Sequence, residues 1–188
     1  MGLVRCGGEE MILLIDLCYE KDSLSQYEFV FPIRKIVENT KQKTEIIHFS
    51  ELTEEHIEKA NKIILCGTAL KDNAFIDHFE KFSWLTTTKK PVLGICAGMQ
   101  IIGLAFGSTI TKQKEIGMTQ IITKDAIFGD SMISAYELHG NSIQVPEGFQ
   151  IIAENVKGVQ AIKKDKIYGI VFHPEVRNKK LIENFLLL

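Results

Sequence analysis

Residues 91–107 read PVLGICAGMQIIGLAFG, and the predicted fold is built around them. The segment begins as a short apolar run, breaks at Cys96, and continues as an apolar helical pattern over residues 99–106. This pattern predicts a buried strand, a sharp turn with a cysteine at its tip, and a packed helix. Gly94 and Gly98 flank Cys96 at the spacing of a nucleophile elbow, where small residues let the backbone turn tightly. A cysteine beside a helix N-terminus is favoured as a thiolate and has backbone N–H groups close by for an oxyanion.

Upstream of this segment, strand and helix patterns alternate. Continuous apolar runs predict three more strands, at Met11–Ile15, Glu45–Phe49 and Lys62–Cys66. Helical spacing and capping residues predict three helices: one over Phe29–Asn39, one from Ser50 or Thr53 to Asn61, and one from Asp72 or Asn73 towards Trp84. The polar segment Leu17–Glu28 is predicted to form a loop. Alternating helices and short buried strands predict an α/β fold with a mainly parallel, flavodoxin-like sheet and helices on both faces.

Beyond Gly107 the sequence becomes rich in β patterns. The predicted strands are Thr109–Lys112, Gly117–Thr123, Ser134–Leu138, Ile151–Glu154, Val159–Lys163 and Ile167–Phe172, followed by a terminal helix over Asn178–Leu188. We expect a small antiparallel β extension whose last strand rejoins the main sheet. Residues 11–188 are predicted to form one domain, preceded by a loose leader, residues 1–10.

Composition excludes several function classes. A formal charge of −2 and the lack of a dense Lys/Arg block argue against binding nucleic acid. No apolar run approaches the roughly 20 residues of a membrane helix. The four cysteines are scattered without a C-x-x-C pair, which predicts a reducing, cytoplasmic setting and no metal site.

Cys96 needs a base, and His173 is the best candidate. It ends the predicted strand that runs to Phe172, so it is expected at the same sheet edge as Cys96. Glu175 follows two residues later, and a carboxylate there can orient the imidazole and stabilise the imidazolium. The sequence therefore predicts a triad in the chain order Cys, His, Glu.

These two motifs together resemble those of the class I glutamine amidotransferases. GICAGMQ at residues 94–100 resembles the family's G-[IVL]-C-x-G-x-Q elbow, and YGIVFHPEV at residues 168–176 resembles its terminal Y-G-V-Q-F-H-P-E-V box. LHGN at residues 138–141, VPEGF at 145–149 and VQAIK at 159–163 resemble segments of the glutaminase subunit of two-subunit GMP synthases. The resemblance covers the chain from about Met11 to the C-terminus.

The resemblance implies that the chain hydrolyses glutamine through a thioester on Cys96. It assigns the oxyanion to backbone N–H groups of Ala97 and of the Gly67-Thr68 loop, and substrate binding to Gln100, Gly94 and Gly98.

The resemblance also implies a partner. Ammonia would pass to an ATP-pyrophosphatase synthetase, for GMP synthesis from XMP. His139 and Asn141 are assigned to the surface that faces this partner. No cofactor is expected in this chain, since ATP and Mg would belong to the partner.

The chain departs from the family pattern at several positions. The usual S-G-G-P oxyanion loop is replaced by Cys66-Gly67-Thr68-Ala69, Val171 stands in place of Gln, and Leu138 and Asn141 replace Ser and Asp. Two other interpretations stay open. The acceptor could differ, for example in chorismate-derived aromatic synthesis, or the chain could be a catalytically impaired regulatory or binding homologue.

Overall fold

A computed structural model of the chain describes residues 10–188. Nine strands form one sheet: β1 (Met11–Asp16), β2 (Lys43–His48), β3 (Lys62–Leu65), β4 (Val92–Ile95), β5 (Ile110–Thr123), β6 (Met132–Ile143), β7 (Gln150–Asn155), β8 (Gly158–Lys164) and β9 (Ile167–Ile170). The α-helices are α1 (Leu24–Phe29), α2 (Phe31–Asn39), α3 (Glu54–Lys59), α4 (Ala97–Ala105) and α5 (Lys179–Leu186), and 3₁₀ turns occur at Phe49–Glu51, Ala74–Thr86 and Ala126–Phe128.

The sheet has the order β2-β1-β3-β4-β9-β8-β7-β5-β6. The five strands from β2 to β9 pair in parallel, and the pairs from β9 through β8, β7 and β5 to β6 are antiparallel. The predicted fold class is thereby confirmed, including the antiparallel extension and the return of the last strand to the main sheet.

Successive side chains of the central strands point to opposite faces of the sheet, so an apolar core forms on each face. In β1, Ile12 and Leu14 belong to one apolar cluster, with residues of α2 and α5, whereas Leu13 and Ile15 belong to another, with residues of α3 and α4. These side chains are fully buried, and each strand side chain points to the face opposite that of its neighbour. Helices therefore cover both faces of the parallel part of the sheet.

The structure corrects the prediction of a loop over Leu17–Glu28. Residues Leu24–Phe29 form α1, which is too short for a recognisable helical period. Tertiary contacts hold it in place, because the buried side-chain amide of Gln26 donates to the carboxylate of Asp16 at 2.8 Å and Phe29 is buried.

Two other predicted elements differ in detail. The helix predicted towards Trp84 is a 3₁₀ segment, Ala74–Thr86, kinked at His78. The two strands predicted on either side of Gln113–Ile116 are one strand, β5, whose register against β6 shifts between Lys112 and Glu115. A β-bulge at this point breaks the sequence alternation without ending the strand.

Of the predicted leader, residues 1–9 lie outside the described part of the chain. Glu10 is described, and its carboxylate forms an ion pair with the buried ammonium of Lys62. Its carbonyl accepts a hydrogen bond from the backbone N–H of Lys43 at 3.1 Å.

Candidate active site

Three neighbouring parallel strands end at one edge of the sheet and carry the predicted site residues. Cys96 directly follows β4, His173 follows β9, and Gly67 follows β3. Since β4 pairs with both β3 and β9, these loops are adjacent in space. Crevices at the carboxyl ends of parallel strands are where open α/β sheets place their sites.

Cys96 sits at a strained turn between β4 and α4. Its φ and ψ are 50° and −100°, although it is not a glycine. Such backbone strain is concentrated at functional sites, and a nucleophile elbow requires it. The backbone N–H of Cys96 donates to the carbonyl of Ile170 at 2.8 Å, so β9 holds the turn in place.

The two glycines of the elbow are required by close packing. A Cβ at Gly98 would lie 2.4 Å from the carbonyl oxygen of Leu65, and a Cβ at Gly94 would lie 2.6 Å from the backbone of Gly98. Both distances are shorter than real Cβ contacts. The glycines thus let strand β4, helix α4 and strand β3 approach one another, and their assignment to substrate binding stays a prediction.

His173 and Glu175 form a buried pair. The Nδ1 atom of His173 lies 2.7 Å from Oε1 of Glu175, and both side chains are 1% exposed. The backbone N–H of His173 donates to the carbonyl of Tyr136 at 2.9 Å, and the ring of Phe29 lies 5.4 Å from the imidazole ring, centroid to centroid. Glu175 and Phe29 therefore contact the imidazole itself, and Tyr136 fixes the backbone that carries it.

The charges of the site favour an imidazolium. Burial of His173 opposes its charged form, but interactions with Cys96 and Glu175 outweigh this effect and raise the pKa of His173 well above its ordinary value of 6.5. Burial raises the pKa of the neighbouring Cys66 thiol well above its ordinary value, and Asp16 and Cys18 add to this effect. Cys66 therefore remains a thiol, next to a site that can hold an ion pair.

The Gly67-Thr68 loop contacts the imidazole directly. A Cβ at Gly67 would lie 2.7 Å from Cε1 of His173 and 3.6 Å from Cβ of Cys96, so only glycine fits beside both. The hydroxyl of Thr68 donates to the buried carboxylate of Asp72 at 2.6 Å, which fixes the loop on its far side. The N–H of Ala97 belongs to the first turn of α4, where N–H groups have no partner within the helix. The oxyanion role of Ala97, Gly67 and Thr68 stays a prediction.

Strand β6 covers Cys96. The thiol of Cys96 donates to the carbonyl oxygen of Leu138 at 3.9 Å, and Cys96 is only 4% exposed. Beside the thiol is a narrow crevice lined by Thr68, Gln100, Leu138, His139 and Asn141, among others. The Oε1 atom of Gln100 is buried there without a hydrogen-bond partner among the described residues, as expected of a group that awaits a ligand.

His139 lies inside the chain. It is 1% exposed; its Nε2 lies 3.2 Å from the carboxylate of Glu137, and its Nδ1 lies 3.1 Å from the carbonyl of Asn141. In the single chain, His139 therefore presents no surface to a partner, while Asn141 is partly exposed. Any effect of His139 on a partner would pass through its neighbours.

Sequence reasoning missed Glu115, Glu137 and Phe29. Glu137 has the same strand parity as the buried Ile133 and Ala135, so the period-two alternation of β6 was a signal that it points inward. Glu115 is placed by the bulge and Phe29 by tertiary packing, and neither position is marked by a local pattern.

Among residues 10–188 no group of three or more His, Cys, Asp or Glu side chains is arranged to hold a metal ion. In the same range no helix is long and apolar enough to span a bilayer.

Comparison with known proteins gives the class. The family model "Glutamine amidotransferase class-I" matches residues 24–187. The chain therefore belongs to the class I glutamine amidotransferases, a family of glutaminase-type enzymes.

Two curated relatives within this family are GMP synthases. The glutamine-hydrolysing GMP synthase of Helicobacter pylori is 33% identical over 157 residues, which make up 77% of this chain and 31% of that protein. The corresponding protein of Chlorobium luteolum is 32% identical over 171 residues, with 77% of this chain and 32% of that protein covered. The chain thus spans about a third of the length of these curated relatives. It is homologous to the glutamine-hydrolysing domain of GMP synthases.

Solved structures share the fold. A candidate GMP synthase subunit from Thermoplasma acidophilum has a TM-score of 0.80 and 23% identity, with 96% of this chain and 94% of that chain covered. A glutamine amidotransferase from Thermotoga maritima has a TM-score of 0.72 and 20% identity, with coverages of 96% and 84%.

Proposed function

We propose that this chain is a glutaminase in which Cys96, His173 and Glu175 act as a catalytic triad. The observation that carries the proposal is the meeting of a cysteine at a strained elbow with a buried His–Glu pair on the neighbouring strand end. A raised pKa of His173 supports the role, because it favours the imidazolium beside Cys96.

The reaction follows from the chemistry of these groups. The Cys96 thiolate attacks the side-chain carboxamide carbon of glutamine, and the resulting oxyanion is stabilised by N–H groups of Ala97 and the Gly67-Thr68 loop. The imidazolium of His173 gives its proton to the leaving nitrogen, ammonia departs, and a γ-glutamyl thioester remains. His173 then takes a proton from water, the hydroxide attacks the thioester, and glutamate leaves as Cys96 recovers its sulfur electron pair.

The experiment measures ammonia and glutamate released from glutamine by the purified chain, alone and with an ATP-pyrophosphatase synthetase. Cys96→Ala should abolish release, whereas Cys66→Ala, which removes a thiol one strand away, should retain it. A wild-type chain that releases no ammonia with the synthetase present, and whose Cys96 is not labelled by a glutamine-like electrophile, would contradict the proposal.

For the acceptor, we propose that the ammonia passes to a synthetase that makes GMP from XMP. Support comes from the relatives named GMP synthase, which are about three times as long as this chain. In this arrangement ATP and Mg²⁺ bind to the synthetase, and the glutaminase itself needs no cofactor. The chain mixed with the synthetase, XMP, ATP and Mg²⁺ should yield GMP from glutamine. GMP formed from added ammonium but not from glutamine would refute the pairing.

A further inference from the structure

A buried polar cluster lies directly beside the strand that covers Cys96. It consists of Glu115 on β5 and of Glu137 and His139 on β6, all at most 2% exposed. The Nε2 atom of His139 lies 3.2 Å from a carboxylate oxygen of Glu137 and 3.9 Å from one of Glu115. Two carboxylates and an imidazole are thus shielded from water, an arrangement that is costly unless the charges compensate one another.

A β-bulge places Glu115 in this cluster. Across from His139, the β5–β6 register shifts between Lys112 and Glu115. A bulge of this kind turns a strand and re-aims a side chain, and bulges are frequent beside active sites. On β6, Glu137 and His139 share the inward face by strand parity.

The two carboxylates have different surroundings. Burial opposes ionisation of Glu115, but hydrogen bonds from the side-chain amides of Gln113, Asn155 and Gln160 outweigh it and lower the pKa of this carboxyl group. The ammonium of Lys157 lies 3.7 Å away from the same group. Both carboxylate oxygens of Glu137, in contrast, are buried without a hydrogen-bond partner among the described residues. The polar contact of the Glu137 carboxylate is the one with Nε2 of His139, at 3.2 Å.

Backbone groups between these side chains contact the catalytic residues. Glu137 and His139 flank Leu138, whose carbonyl oxygen accepts from the Cys96 thiol at 3.9 Å. The carbonyl of Tyr136, one residue before the cluster, accepts from the backbone N–H of His173. Among residues 10–188, Nε2 of His173 has no hydrogen-bond partner. The sulfur of Cys96 is therefore packed against the Leu138 carbonyl, and this segment of β6 covers it.

We propose that Glu137 and His139, supported by Glu115, are positioning residues that hold the Leu138 carbonyl against Cys96. They keep the nucleophile covered until β6 shifts. The inference depends on Cys96 being the nucleophile of the proposed glutaminase. It makes His139 an internal support of the cover instead of a partner-facing group.

The test is alkylation of the full chain by iodoacetamide, with the rate at each cysteine followed by mass spectrometry across a range of pH. Glu137→Gln preserves the shape of the side chain and removes its charge. We expect Cys96 to react about fivefold faster or more across this pH range, because the 3.2 Å contact of residue 137 with His139 is weakened and the cover loosens. Gln120→Ala, on the exposed face of the same hairpin, should react like the wild type.

The reactivity of Cys18 and Cys66 separates a local effect from loss of the fold. Both are buried, so a shifted cover should leave them unreactive, whereas unfolding would expose Cys18 and Cys66 together with Cys96. His139→Asn should accelerate Cys96 similarly, and the double variant should show less than the product of the two effects. An unchanged Cys96 profile in stably folded Glu137→Gln, or equal acceleration at Cys18, Cys66 and Cys96, would overturn the inference. Glutamine hydrolysis is assayed separately, so its absence would count against the proposed function and leave the alkylation result readable.

Discussion

Substituting Gly67 by alanine should strongly impair glutamine hydrolysis through a single added carbon atom. The new Cβ would lie 2.7 Å from Cε1 of His173, whereas ordinary contacts begin at 3.4 Å. The ring and the loop must therefore separate by at least 0.7 Å, the difference between these two distances. The imidazole has little freedom to yield, because Glu175 binds its Nδ1 at 2.7 Å and Phe29 lies against it.

The magnitude follows from this displacement. A misplacement of about 1 Å in a catalytic group can reduce the rate about a hundredfold, so we expect kcat/KM for glutamine to fall by roughly that factor. Overpacking a dense interior costs about 1–3 kcal/mol, which corresponds to a loss of roughly 2–4 °C in Tm for each kcal/mol in a chain of this size. The N–H of residue 67 is retained, so the loss would come from the position of His173.

Gly140→Ala is the matched control. Gly140 also lies beside the site, but a Cβ there would meet its nearest atom, in Leu70, at an ordinary 3.7 Å. The prediction is tested by measuring steady-state glutamine hydrolysis and thermal denaturation of both variants. If Gly67→Ala keeps kcat/KM within about threefold of the Gly140→Ala value while remaining folded, the imidazole is not confined as described, and the reasoning fails.

Three further substitutions probe the remaining contacts. Glu175→Gln should lower kcat by roughly 10²- to 10⁴-fold and move the alkaline limb of the pH–rate profile to lower pH, because it removes a charge that raises the pKa of His173. In the wild type the charged His173–Glu175 pair contributes fully to stability below pH 6.5, and this contribution is lost as the pH rises through the raised pKa of His173. An alkaline limb of the pH–rate profile that does not shift in Glu175→Gln would contradict the proposed role of Glu175. Thr68→Val should lower the free energy of unfolding by about 1–3 kcal/mol in urea denaturation, since the buried carboxylate of Asp72 loses its 2.6 Å donor, and an unchanged value would count against this contact. Gln100→Leu should raise KM about tenfold without reducing stability, because its buried Oε1 has no partner among the described residues; reduced stability at an unaltered KM would show a structural role instead.

The sequence predicted those parts of the site that depend on strand ends. Cys96 and His173 each follow an apolar run, and parallel strands bring their carboxyl ends to one edge, so the meeting of these residues could be anticipated from pattern alone. The pairing of His173 with Glu175, which lie 2.7 Å apart, followed from their spacing of two residues and from the use of a carboxylate to orient an imidazole. These features are local, or follow from one topological rule.

The position of β6 over Cys96 could not be predicted from sequence in this way. Strand β6 is the last strand in the sheet order, yet its residue Leu138 contacts Cys96 at the end of β4. The antiparallel extension must therefore bend back over the ends of the parallel strands, and it joins residues that are far apart in sequence. The bulge that aims Glu115 inward breaks the alternation from which strands are recognised, so the sequence suggested two short strands instead of one. Helix α1 was missed for a related reason, because six residues are held by contacts with Asp16 and His173 that no local pattern records.

Cys66 and Cys96 show that two cysteines at neighbouring strand ends can have very different surroundings. Both come directly after neighbouring parallel strands, but Cys66 is fully buried, lies 4.0 Å from the carbonyl of Ile64, and has its thiol pKa raised by burial and nearby acids. Cys96 instead occupies a turn with positive φ at the N-terminus of α4, where the helix dipole favours an anion, and its neighbour is an imidazole with a raised pKa. The difference arises from the segment that each cysteine leads into, a Gly-Thr loop in one case and a helix in the other. A substitution that removed the helix start after Cys96 would therefore make it resemble Cys66, even with His173 in place.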